Sequence, residues 1–149
     1  MKVLLAVLLV FASSCRGGDT TRPDPDPPDL EPPSPFGRYD LVSVAGGPLP
    51  RDVANAKTGQ LEFRIHSQYL SIRRYGGYRS DADITLLVIG IRGTMTAFGD
   101  VSVDADTVTF MPNDGGCHDF ASFQPGNQRL TIPTDCELGI EWIFEKRSG

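Results

Sequence analysis

From Phe36 onward, apolar and polar residues alternate in short runs broken by turn residues. "QLEFRI" sets Leu61, Phe63 and Ile65 against Gln60, Glu62 and Arg64, the period-two pattern of a half-buried strand. "GRYDLVSV" places Tyr39 and Leu41 on one face, and "YLSIRRY" places Leu70 with Ile72 before Gly76-Gly77. "ADITLLVIGIRG" is apolar on both sides and predicts a central strand buried on both faces, or one packed on a neighbour. In the next segment, "GTMTAFGDVSV", Gly99 predicts a bulge or bend. After the turn Asp104-Ala105-Asp106, Val108 and Phe110 share a face. "DFASF", the turn "QPGNQ" and "RLTIP" follow, with Leu130 beside Ile132. "GIEWIFEK" closes the chain and points Ile140, Trp142 and Phe144 one way.

The pattern predicts eight or nine short antiparallel strands in the 114 residues from Phe36 to Gly149. A closing strand at the very C-terminus favours a small up-and-down barrel, because closure leaves no edge for aggregation. One helix is expected, over "RDVANAKTG" from Arg51 to Gly59, capped by Asp52 and covering one mouth of the barrel.

The first residues follow a different pattern. Lys2 precedes an uncharged apolar run from Val3 to Ala12. Ten residues rise about 15 Å as a helix, half of a hydrocarbon core of roughly 30 Å. The run reads as the apolar region of a secretory signal, not as a membrane span. Ala12-Ser13-Ser14 then lead to Cys15, and the segment resembles the lipobox of bacterial lipoproteins, although that family prefers Leu where Ala12 stands. The resemblance implies that residues 1–14 are removed and that Cys15 is acylated. An ordinary secretory signal cut nearby would leave Cys15 incidental. Several acyl chains on one residue, at roughly 0.8 kcal/mol per buried methylene, hold a protein stably on a membrane. Arg16 follows the cysteine, where an enteric inner-membrane lipoprotein carries aspartate. The expected location is thus the bacterial cell envelope, on the outer membrane where the cell has one.

With Cys15 lipidated, Cys117 and Cys136 remain in an oxidising compartment and are expected to form a disulfide. Closing a loop between positions nineteen apart stabilises a fold by on the order of 3 kcal/mol. Metal binding by these cysteines with His118, Asp114 or Asp119 has no CxxC or HxxxH spacing behind it.

Residues 16–35 hold seven of the twelve prolines together with Asp19, Asp24, Asp26, Asp29 and Glu31. Such a segment has little to bury, and it predicts a disordered tether rich in polyproline II. At about 3.1 Å per residue it would hold a domain up to roughly 60 Å from the lipid. The expected organisation is a signal peptide over 1–14, a lipidated linker over 15–35 and a barrel over 36–149. The net charge of −5 becomes −6 without Lys2, and no basic patch suggests nucleic acid.

At "GRYDLVSVAGGPLP" the chain resembles the lipocalin-like β-barrel lipoproteins of environmental bacteria. The residues that carry the likeness are Gly37, Tyr39, Leu41 to Val44, Gly46 and Pro48 to Pro50. Trp142, Phe144, Lys146 and Arg147 carry it at the end, and "GDVSVDADTVTF" resembles the internal hairpin. Tyr39 stands where true lipocalins place a first-strand tryptophan. The resemblance implies a lipocalin-like fold and carries over no ligand residue.

The chemistry-bearing residues are few. No GxSxG elbow marks a serine nucleophile. His66 follows the outward alternation of Glu62 and Arg64 and is expected to be solvated at a turn. His118 adjoins Cys117, with Asp114 and Asp119 nearby, and reads as loop polarity. "PNDGG" is a turn with no helix behind it to cradle a phosphate. Arg74 shares the face of Leu70 and Ile72 only if that strand stays regular; otherwise the strand has left the core before it. Tyr39, Phe63, Arg74, Phe110 and Trp142 are the candidate ligand-binding residues, although a barrel of this size can also fill itself with its aromatics.

The expectation is a non-enzymatic monomer without cofactor or metal, anchored to a membrane through its N-terminal lipid. It would bind a small apolar ligand or an envelope partner protein. The alternative is a structural or interaction lipoprotein with a solid core. An inward cavity above about 300 Å3 with a polar group such as Arg74 at its end would favour the first reading, and a filled barrel with an exposed apolar patch the second.

Overall fold

A computed structural model describes residues 33–148 of the chain. The signal-like run, Cys15 and most of the proline-rich segment lie outside the described residues. Nine strands follow in order: β1 (Gly37–Val44), β2 (Arg51–Ala54), β3 (Leu61–Ile72), β4 (Gly77–Leu86), β5 (Ile91–Asp104), β6 (Thr107–Pro112), β7 (Asp119–Gln124), β8 (Arg129–Ile132) and β9 (Trp142–Lys146). All pairings are antiparallel, and consecutive strands pair from β2 through to β9. β1 closes the sheet by pairing with β9 on one side and with the second half of β3 on the other. The result is an eight-stranded up-and-down barrel, with β2 lying along the first half of β3 in line with β1. The fold is all-β, as the alternation predicts.

The segment from Arg51 to Gly59 is not a helix. Arg51 to Ala54 pair with Leu61 to Ile65, and Val53 is fully buried. On the outer face Asp52 pairs with Arg64 across the two strands. The remaining residues turn the chain: Lys57 N–H donates to the Asn55 side chain, and Gly59, at φ +70°, closes the turn onto the Asn55 carbonyl. Burial of one valine and a cross-strand partner outweigh the local helix signals of a six-residue turn.

"QLEFRI" and "YLSIRRY" are one strand, not two. Phe63 and Ile65 are odd positions, Leu70 and Ile72 are even, and all four are buried. A shift of register between Ile65 and Ser67 reconciles them. One extra residue, His66, sits in the bulge and moves the strand from odd to even phase. His66 is therefore mid-strand, half-buried and bonded to Thr85 Oγ1 at 2.8 Å, not solvated at a turn.

The largest departure is "ADITLLVIGIRG". It is not a central strand covered on both faces. β4 ends at Leu86, residues 87–90 turn, and β5 starts at Ile91. Val88 and Ile89 are 79% and 61% exposed at the tip of the hairpin. β6 pairs only with Gly99 to Asp104, so the first half of β5 is bonded to β4 alone. The bulge expected at Gly99 is absent: the pairing of β5 runs through it without a shift of register, and the glycine serves a close approach instead. A Cβ there would lie 2.1 Å from the Met111 carbonyl oxygen, so only glycine lets β6 come this close.

The closed half of the barrel is packed solid. Tyr39, Leu70, Ile72, Val101, Val108, Phe110, Phe123 and Leu130 fill it, and Tyr78 meets Phe110 edge-on at 5.1 Å. Tyr39 Oη donates to the Pro35 carbonyl, and Lys146 Nζ to that of Ser34. These two bonds attach residues just before the expected domain start at Phe36.

Candidate functional site

The other half of the barrel holds a cavity of about 640 Å3, which lies among Phe63, Ile65, Gln68, Tyr78, Ile132, Trp142 and Phe144. Its position follows from the strand registers. Gly37 pairs with Ile72 at one end of the barrel, and Leu86 pairs with Phe63 toward the other. The cavity is at the Leu86 end, away from the point where the chain enters the fold. Exposed Leu86, Met95 and Glu137 stand at its rim. Beside it, the first half of β5 pairs with β4 alone, and Ile91 to Phe98 are all exposed.

Of the five expected ligand residues, Phe63 and Trp142 line the cavity. Tyr39 and Phe110 are buried in the solid half and belong to its packing. Burial there pushes the Tyr39 phenol well above its ordinary value. Arg74 is exposed in the β3–β4 turn, because the strand ends at Ile72. A second depression, of about 390 Å3, is lined by Arg73, Arg79, Thr96, Phe98 and Asn113 and contains none of the five.

The polar wall of the cavity comes from two loops. Cys117, before β7, is bonded to Cys136, before β9, with Cα atoms 5.9 Å apart. The expected disulfide is present, and it clamps together two segments that carry acids. Asp114 and Asp119 flank one cysteine; Asp135 and Glu137 flank the other. With Glu62 they make five carboxylates in the lining, which holds no Lys, Arg or His. His118 is exposed beside Cys117 and outside the lining.

These carboxylates have different tasks. Asp135 is 7% exposed and accepts the N–H groups of Leu138 and Gly139 and the indole N–H of Trp142. It thereby orients the indole in the cavity wall and satisfies the loop. Asp119 accepts the Cys136 N–H at 2.8 Å. Burial pushes its carboxyl above the ordinary value; that backbone bond opposes the shift, and Asp135 and Glu137 add to it. The Tyr78 phenol is raised in turn by burial and then by Asp119 and Asp114. Gln68 donates through Nε2 to Ser80 Oγ, while its carbonyl oxygen is buried with no hydrogen-bond partner.

The acidic wall was missed in the sequence because its four members are spread over 24 residues, from Asp114 to Glu137. One signal was present: each disulfide cysteine has acids within a few residues. Gln68 was hidden for another reason, since only the bulge at His66 turns it inward.

The fold and the cavity define a closed antiparallel barrel with an interior site at one end. The chain matches no protein-family model, no curated protein and no solved structure.

Proposed function

We propose that this chain is a lipid-anchored envelope protein, lipocalin-like in design, whose barrel binds a small molecule with an apolar body. The observation that carries the reading is the cavity of about 640 Å3, walled by Phe63, Ile65, Trp142 and Phe144. Pockets of roughly 300 to 1,000 Å3 with mostly apolar walls and a few placed polar groups are the usual form of a small-molecule site. A structural lipoprotein would be supported by a barrel filled along its whole length, whereas this interior contains a cavity. The proposal assigns no catalytic residue.

Native mass spectrometry of the full chain taken from its own host tests the binding reading. A bound mass that leaves on denaturation is expected. Bare protein mass, together with no change in Trp142 emission across a panel of apolar ligands, would sink it. Trp142 suits that purpose because it is the single tryptophan and lines the cavity.

The lipid anchor rests on "ASSC" and the proline-rich segment behind it. Cys15→Ala is expected to move the exported protein from the membrane fraction to the soluble one. Retention of that variant on membranes would overturn the anchor.

A further inference from the structure

We infer that the ligand is an amphiphilic cation: an amine with an apolar or aromatic body, bound with its charged end against Asp119 and Glu137. The inference rests on the binding reading above and names its ligand class. The cavity lining combines aromatic side chains, Phe63, Tyr78, Trp142 and Phe144, with five carboxylates and no basic side chain. Lys57 reaches the same loop from outside the lining, where its Nζ donates to the Cys136 carbonyl at 2.7 Å.

Two features point to a cation. Asp135 and Glu137 act on Asp119 as like charges, and a positive charge among them relieves that repulsion. Aromatic side chains in the same lining, among them Tyr78 and Trp142, add attraction for ammonium. The cation is organic rather than a metal ion: among the described residues no three His, Cys, Asp or Glu side chains are placed to hold one. The size of the cavity matches a drug-sized molecule, not an ion. The same wall excludes fatty acids, whose carboxylate would meet like charge in a partly desolvated place.

The test uses the full chain at pH 7 with three ligands of equal length: decylamine, 1-decanol and decanoate. Binding is followed by calorimetry and by Trp142 fluorescence. Decylamine is expected to bind at least tenfold tighter than decanol, and decanoate more weakly than either. Asp119→Asn and Glu137→Gln should each reduce the preference for amine over alcohol and leave decanol affinity within about twofold. Glu137 is exposed, so its variant keeps the test valid if Asp119→Asn disturbs the fold. Equal affinity for all three ligands, or tightest binding of decanoate, would overturn the cation and leave an apolar binding site standing. An amine preference unchanged when Asp119→Asn and Glu137→Gln are combined would also overturn it, since other groups would then supply the selectivity. Failure of all three to bind would remove the apolar-ligand reading itself.

Discussion

Gly99 and Asp119 show how single atoms set the limits of this barrel. At Gly99, β5 takes on its second neighbour, and any side chain would enter the Met111 carbonyl. Gly99→Ala therefore forces two backbones apart; overpacking of this kind costs about 1 to 3 kcal/mol. Thermal melting should show that loss, and a melt unchanged from the parent would mean the strands separate freely. Asp119 works in the opposite direction. Its folded carboxyl is raised above its unfolded value, chiefly by burial. The folded state then holds the proton more tightly than the unfolded chain does. This stabilisation is present below the unfolded value, near 3.9, and is lost as pH rises through the folded value. Asp119→Asn removes that loss while the amide oxygen can still accept the Cys136 N–H. The variant should gain melting temperature relative to the parent as pH goes from 4 to 7. A gap that stays constant or closes over that range would show that the carboxylate is not strained by its site.

At the scale of elements, two non-local devices position the cavity. The first is the bulge at His66, which lets one strand present Phe63 and Ile65 and then Gln68, Leu70 and Ile72 to the interior. The second is the Cys117–Cys136 disulfide, which holds the β6–β7 and β8–β9 loops as one acidic wall. Replacing both cysteines with serine should cost on the order of 3 kcal/mol by loop-closure entropy. It should also loosen the loop that supplies Asp135 to the Trp142 indole. The double variant is thus expected to melt lower and to shift Trp142 emission. Unchanged stability with unchanged emission would mean the loops are held by their hydrogen bonds alone. The outer-face ion pairs Asp52–Arg64 and Arg129–Glu145 follow the register of their strands but are solvent-exposed, so each adds little.

The whole molecule depends on closure. β9 lies between β8 and β1, and its Trp142 and Phe144 are buried. Truncation after Leu138 would remove β9 and leave β1 and β8 with open edges. Trp142→Ala would remove a large buried aromatic, at about 3 to 5 kcal/mol against a total on the order of 5 to 15 kcal/mol. The truncated chain should lose cooperative melting, and Trp142→Ala should lower the midpoint sharply. A truncated chain that melts like the parent would show that the sheet is stable open. At this scale the fold also separates its ends, with chain entry and solid packing at one and the cavity mouth with the apolar tip of the β4–β5 hairpin at the other.

The alternation of residues by itself determined the strand class, most strand positions and the identity of the core. Tyr39, Phe63, Leu70, Val108, Phe110, Leu130, Trp142 and Phe144 are all buried as their phases require. Parity of the cysteines pointed to the Cys117–Cys136 disulfide. These properties are local, or are counts, and a chain carries them without a partner. Only the tertiary structure decided what depends on an opposing surface. Val88 and Ile89 are as apolar as any core residue, yet nothing lies opposite them, so they stay exposed. Val53 reads as part of a short helix until β3 offers it a neighbour. Of the inward aromatics, Tyr39 and Phe110 are enclosed in the core while Phe63 and Trp142 border the cavity, a difference set by what stands opposite each of them. The anionic wall likewise exists only where the disulfide joins two loops, since neither loop alone has the acids to form it.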